Sequence, residues 1–342
     1  MAVDELLQRL GVDEDGTLFH DKKGRPVALP SAPAPLADSH GHLTGFLGHD
    51  APAVLVRAAL AGLRLLVVPV DPVDEIPRRW GSASELLGWI DAQVDEAREL
   101  LDACAARGIL PPDALGYEGL PSLLDNLRII AGAHPYGAAE LDGVALARLD
   151  ELLASPRAVG VGEIGFDLGP YNELPVDVQE RAFRLQLELA RERELPVELH
   201  IRDGAQDTLA HELAARVLAE RGLPAVGCDL HCFTQGPEVM APFVELGCHV
   251  AFGGAVTFGR SDDIRTAATS CPEGLLLSET DAPYMAPVPL RGLRCEPAMV
   301  AFSADCVARV REEAGVAPRA RSYEAMLRNA FGLLVPSARY RA

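Results

Sequence analysis

What most limits the folds open to this chain is a regular alternation between apolar runs and helical stripes. Eight runs rich in Val, Leu and Ile are predicted as strands, at 36–42, 64–71, 127–134, 158–167, 196–202, 226–233, 249–258 and 274–280. Several are almost continuously apolar, as strands covered on both faces must be. Between them, 85–107 places Leu87, Ile90, Val94, Ala97, Leu101 and Cys104 at three-and-four spacing, with Gly108 as a stop. The same pattern recurs with Phe183, Leu187 and Ala190 in 176–194, and with Met299, Phe302, Cys306 and Val310 in 297–314. Strands and helices in strict alternation indicate a parallel (β/α)8 barrel of the TIM type, class α/β. Such a barrel needs about 250 residues, and the chain has 342.

Residues 1–35 fall outside that plan. They read as a short helix, a hairpin around Asp21 to Gly24 and the linker SAPAPLA. The expected organisation is an N-terminal appendage with linker at 1–35 and a barrel at 36–342. Long loops at 72–84 and 111–126 either shape the mouth of a site or are inserted loops that the fold merely tolerates.

Six side chains suited to metal binding sit where these runs end: His40 and His42 in DSHGHL, Glu163 in GEIGFD, His200 in VELHIR, His231 in DLHCF and Asp281 in ETDAP. A parallel barrel gathers its strand ends on one face, so residues far apart in sequence would form one cluster. Alternation along a strand points His40 and His42 the same way, able to grip one ion. Glu163, flanked by Gly162 and Gly165, is the natural carboxylate to bridge two ions about 3.5–4 Å apart. His200 and His231 would hold the second ion, and Asp281 would close the first. A hydroxide shared by two divalent ions would be the nucleophile at neutral pH, with Asp281 accepting its proton. Arg202, two residues past His200, could take a phosphate oxygen pair in two-point fashion. His134 in GAHPY either lines the site or plays a structural part. Arg291 and Arg294, in PLRGLRCEP, follow the last strand near where barrels bind phosphate, and an ordinary surface loop is the equal competitor. His20, His49, His211 and His249 read as ordinary core or surface residues, Glu279 as a buried hydrogen-bonding group, and Asp167 as a structural cap.

Composition bounds the partners. The hydrophobic fraction of 49% with 24% charged residues is that of an ordinary globular chain. No apolar run reaches the roughly 18 residues of a membrane span, and MAVDELLQRL lacks the basic start of a secretory signal. The seven cysteines are an odd number with no Cys-x-x-Cys pair, so most read as small buried hydrophobes in a cytoplasmic protein. Cys228 and Cys232 flank His231 but lie in a strand-like run, which speaks against a zinc–thiolate site. The net charge of −19 repels a polyanion at long range. Screening confines that effect to about 8 Å at physiological salt. Two divalent ions against Glu163, Asp281 and one hydroxide leave roughly one net positive charge at the site, so a short or single-stranded end is favoured over a long duplex.

These residues resemble the TatD family of metal-dependent hydrolases, within the amidohydrolase superfamily. The resemblance rests on DSHGHL at 38–43, GAHP at 132–135, GEIGFD at 162–167, LPVELHIRD at 195–203, HCFTQG at 231–236, FGGAVTF at 252–258, ETDAP at 279–283 and RGLRCEP at 291–297. It implies a distorted barrel, two divalent ions and a deoxyribonuclease that cleaves phosphodiester bonds, often trimming single-stranded DNA from the 3′ end. It implies His40, His42, Glu163, His200, His231 and Asp281 as metal ligands. Ile201 and Cys295 depart from the family, which often has Cys and Asn there. Zinc, manganese, nickel and magnesium remain open, four imidazoles suiting the first three better. The alternative is a small-molecule amide or ester hydrolase on the same two metals, favoured by the lack of a basic stripe and of clustered aromatics. A non-catalytic adaptor is the third class.

Overall fold

The computed structural model describes residues 3–112, 117, 119–205 and 207–335. The outer ends of the two expected units, 1–2 and 336–342, and positions 113–116 and 118 of the 111–126 loop, lie outside the described residues. A short antiparallel hairpin, β1 Phe19–His20 with β2 Pro26–Val27, precedes the main sheet. Eight parallel strands follow: β3 Leu36–Asp38, β4 Leu63–Val70, β5 Leu127–Ala131, β6 Ala158–Asp167, β7 Val197–Arg202, β8 Cys228–Leu230, β9 His249–Phe252 and β10 Leu276–Ser278. Each pairs with its sequence neighbours in order from β3 to β10. Helices alternate with the strands and cover the outside, so the predicted parallel barrel is the fold.

Several strands stop short of their expected ends, for a reason visible at β3. Beyond it the Asp38 carboxylate accepts from the backbone N–H of His40 and Thr280 and from the Thr280 hydroxyl. A side chain thus supplies the acceptors that a ladder would have supplied. The same contacts close the barrel. β3 and β10 share no ladder; instead Ser39 N–H donates to Ser278 O, the Ser278 hydroxyl to Ala37 O, Asp281 N–H to His40 O and His42 N–H to Ala282 O. The expected strand at 249–258 ends at Phe252 and passes into a 3-10 turn, Gly254–Thr257.

The helix expected at 85–107 runs Ala83–Ala105. Its start is set by a reciprocal cap: Glu85 N–H donates to the Ser82 hydroxyl, and the Glu85 carboxylate accepts from Gly81 N–H. The 72–84 loop is ordered around a helix, Glu75–Arg79, with Glu75 accepting from the Thr44 hydroxyl and Asp71 N–H. At the N-terminus, helix Val3–Leu10 buries Leu6, Leu7 and Leu10 in the same apolar cluster as the barrel. Arg9 pairs with Asp50 and Glu96. No helix among the described residues is long and apolar enough to cross a membrane.

Candidate active site

At the carboxyl ends of the strands, one oxygen of Glu163 faces one group of imidazoles and the other oxygen faces a second group. Glu163 sits inside β6, His200 inside β7 and His231 directly after β8, while His40, His42, His134 and Asp281 lie on the turns after β3, β5 and β10. Gly165 makes this possible. Its φ is +143°, and a Cβ there would collide with the carbonyl oxygen of His200, so only glycine lets β6 and β7 approach so closely.

Glu163 Oε1 lies 3.2 Å from His40 Nε2 and 3.4 Å from His42 Nε2. Those two nitrogens are 3.1 Å apart, and Asp281 Oδ1 is 3.5 Å from His42 Nε2 and 3.8 Å from His40 Nε2. On the other side, Glu163 Oε2 is 3.4 Å from His200 Nδ1, 3.7 Å from His134 Nε2 and 4.0 Å from His231 Nε2. Ligands about 2.1 Å from a tetrahedral ion stand about 3.4 Å apart, so these are the edges of a coordination shell. His200 Nδ1 is buried with no hydrogen-bond partner, as a lone pair meant for an ion would be. The residues present therefore fit divalent metal.

The second nitrogen of each ring sorts the histidines. His40 Nδ1 donates to Glu198 Oε1 at 2.6 Å, His231 Nδ1 to Glu279 Oε2 at 3.4 Å and His200 Nε2 to Asp167 Oδ2 at 3.0 Å. A buried carboxylate behind the ring fixes its tautomer and leaves the other nitrogen as a ligand. His134 is different. Its Nδ1 accepts the backbone N–H of Tyr136 at 3.2 Å, which uses the only lone pair of a neutral imidazole. Nε2 then carries the proton, so His134 is built as a donor although it lies among groups able to surround an ion.

Charge follows the same geometry. Burial raises the Glu163 pKa, but the His40 charge and the close His200 and His40 rings outweigh it and hold it well below the usual carboxylate range. Burial lowers His40, yet Glu198 and Glu163 lift it well above an ordinary imidazole. His200 is likewise pulled down by burial and carried up to about 9 by Asp167 and Glu163. Burial, then the charge of His200, drives His134 down to about 3, so it stays neutral at pH 7. Metal binding must displace the protons on His40 and His200.

The expected allotment changes in detail. His231 groups with His40 and Asp281 as well as facing Glu163, so it stands between the two clusters rather than wholly with His200. His40 and His42 converge although β3 ends before them, so turn geometry rather than strand alternation aims them. Asp167 caps Gly169 N–H as expected but also holds His200. Cys228 and Cys232 join none of the candidate metal groups found among the described residues. Arg202, Arg291 and Arg294 are exposed and outside the cluster, seated over the rings of Tyr171, Phe258 and Phe46.

Two sets of residues were overlooked in the sequence. Glu198 is a charged residue inside an apolar strand, two residues before His200 and so on the same side. Glu198→Gln is expected to weaken divalent-metal affinity about 10- to 100-fold, measured by competition with a chelator; wild-type affinity would show that His40 is oriented without it. The second set is Tyr136, Tyr171 and Tyr284, exposed by 44%, 77% and 61%. Tyr136 lies against His134, Tyr284 against His42 and Tyr171 under Arg202. Each follows a proline (HPY, GPY and APY), and no other Pro-Tyr pair occurs in the chain.

Comparison with known proteins agrees with this geometry. The model of a family described as TatD related DNase matches residues 37–330. The metal-dependent hydrolase YabD of Bacillus subtilis (strain 168) is 36% identical over 188 residues, covering 55% of this chain and 71% of its own. A protein of Erwinia billingiae (strain Eb661) named 3′-5′ ssDNA/RNA exonuclease TatD is 36% identical over 189 residues, 54% of this chain and 69% of its own. The crystal structure of YjjV, a TatD homologue from Escherichia coli K12, superposes with a TM-score of 0.64 at 26% identity, covering 87% of this chain and 97% of that one.

Proposed function

The chain belongs to the TatD-related DNase family and is a metal-dependent hydrolase, and from that premise we propose that it trims single-stranded DNA from the 3′ end across two divalent ions. The observation that carries the reading is the division of Glu163, with Oε1 towards His40 and His42 and Oε2 towards His200 and His231. We assign His40, His42, Glu163 and Asp281 to one ion, and Glu163, His200 and His231 to the other. When bound, the ions would supply an acidified water and offset charge on the phosphate. Four imidazoles favour zinc, manganese or nickel over magnesium.

The protein's own groups divide the remaining work. Asp281, at φ +55°, accepts the proton of the attacking water. The His134 Nε2–H donates to a phosphate oxygen, and Arg202 binds the phosphate from the rim in two-point fashion. Arg291 and Arg294 contact the strand further out. Tyr136, Tyr171 and Tyr284 offer ring faces on which unpaired bases stack, a feature that an amide or ester substrate would not need. The exonuclease name of the Erwinia relative supports the same substrate class. Seven thiols outside any disulfide support a reducing, cytoplasmic setting.

The test is a metal-loaded sample on 5′-labelled single-stranded DNA. A ladder of progressively shorter labelled products, lost on chelation, is the expected result. Intact DNA beside turnover of an uncharged ester or amide would select the small-molecule hydrolase instead.

A further inference from the structure

Lys22 and Lys23 are the only lysines in a sequence of net charge −19, and they stand side by side. Both are exposed at the tip of the hairpin β1–β2. The tip is rigid. The Asp21 carboxylate accepts from the backbone N–H of Lys23 and Arg25 and pairs with the Arg25 guanidinium, which brings its pKa down to about 2. Leu18 and Phe19 anchor the hairpin base in the apolar core.

The hairpin reaches the mouth of the site. Gly292 has φ +83°, and a Cβ on it would collide with the ammonium nitrogen of Lys22. Gly292 lies between Arg291 and Arg294, and Arg294 donates to Gly45 O in the turn that follows His42. From the metal-type cluster outward, the surface therefore runs from His42 through Arg294 and Arg291 to Lys22 and Lys23. Among the described residues no carboxylate pairs with any of these four cations. Elsewhere Arg57, Arg157, Arg184 and Arg319 each face one. Unpaired cations lined up on one side of an acidic protein are fit to neutralise a row of phosphates. The family match begins at residue 37, so this hairpin belongs to the part of the chain outside it.

We propose that the β1–β2 hairpin is an arm that extends the site, with Lys22 and Lys23 holding backbone phosphates of the strand on the 5′ side of the bond to be cut. This rests on the single-strand reading of the site. The arm would act only on substrates long enough to reach it, so it sets a length preference rather than the chemistry.

The test compares the metal-loaded full-length chain with Lys22→Ala/Lys23→Ala on a single-stranded oligonucleotide and on bis(4-nitrophenyl) phosphate. For the double variant, the ratio of kcat/KM on a strand of about a dozen nucleotides to that on the small diester is expected to fall about tenfold. The log–log salt dependence on the oligonucleotide should become shallower by about 0.7 per lysine. Lys22→Arg/Lys23→Arg should restore both. An unaltered ratio and salt slope would overturn the proposal while leaving the nuclease reading intact. Wild-type protein that turns over the small diester but leaves the oligonucleotide whole would defeat the nuclease reading, and the arm with it.

Discussion

Asp281→Ala is expected to lower the single-turnover rate on a 5′-labelled single strand about 10³-fold at saturating metal, within the range for loss of a general base. Burial works to protonate Asp281, but its bond from His42 and the charges of His231 and His40 outweigh that and keep its pKa below the ordinary value. It is thus ionised and able to receive a proton. Its carboxylate also lies 3.5 Å from His42 Nε2, so metal holding and proton acceptance must be separated. Asp281→Asn does this by keeping an oxygen ligand while removing the base. If Asn is as damaging as Ala at full metal occupancy, proton acceptance is the main role. A rate within tenfold of wild type for Asp281→Ala would remove Asp281 from the mechanism, and the same result for Asp281→Asn alone would remove it as the base.

Glu163→Ala should be more severe, and by a different route. Glu163 turns one oxygen towards His40 and His42 and the other towards His200 and His231. Its loss removes the carboxylate between the two clusters and leaves Asp281 as the one carboxylate among the candidate ligands found in the described residues. Activity is expected to fall about 10⁴-fold or more, with metal retained after dialysis dropping below that of Asp281→Ala. Elemental analysis beside the rate measurement checks both. Full metal content in Glu163→Ala would mean that the two clusters do not share this carboxylate.

The barrel was legible because strands buried on both faces must be apolar nearly throughout, and runs such as LRLLVVPV and AVGVGEIGFD have no other easy reading. Their ends were not legible. Asp38 replaces ladder bonds with side-chain bonds, and no periodicity reports that exchange. His40 and His42 were matched to each other by alternation along a strand that stops before reaching them; they still meet because the closing bonds to β10 hold their turn. The six metal-type residues stood out as polar groups at the ends of apolar runs. Glu198 was missed because it lies within such a run, where an acid is visible but its partner, 158 residues away at His40, is not. His134 could not be assigned from sequence, since its task depends on which nitrogen the Tyr136 amide occupies. The three tyrosines were hidden by their spacing: no two are adjacent in sequence, and only the folded barrel brings them to one rim.

The first and last strands of the barrel are joined by a few side-chain and turn hydrogen bonds instead of a ladder, and candidate ligands for one ion come from both sides of that join: His40 and His42 from one, Asp281 from the other. A cation bound there would act as a rivet through the weakest seam of the cylinder. Catalytic competence and mechanical integrity would then be lost together when the ion leaves, so a stripped molecule should breathe first at the line where the barrel was sewn shut.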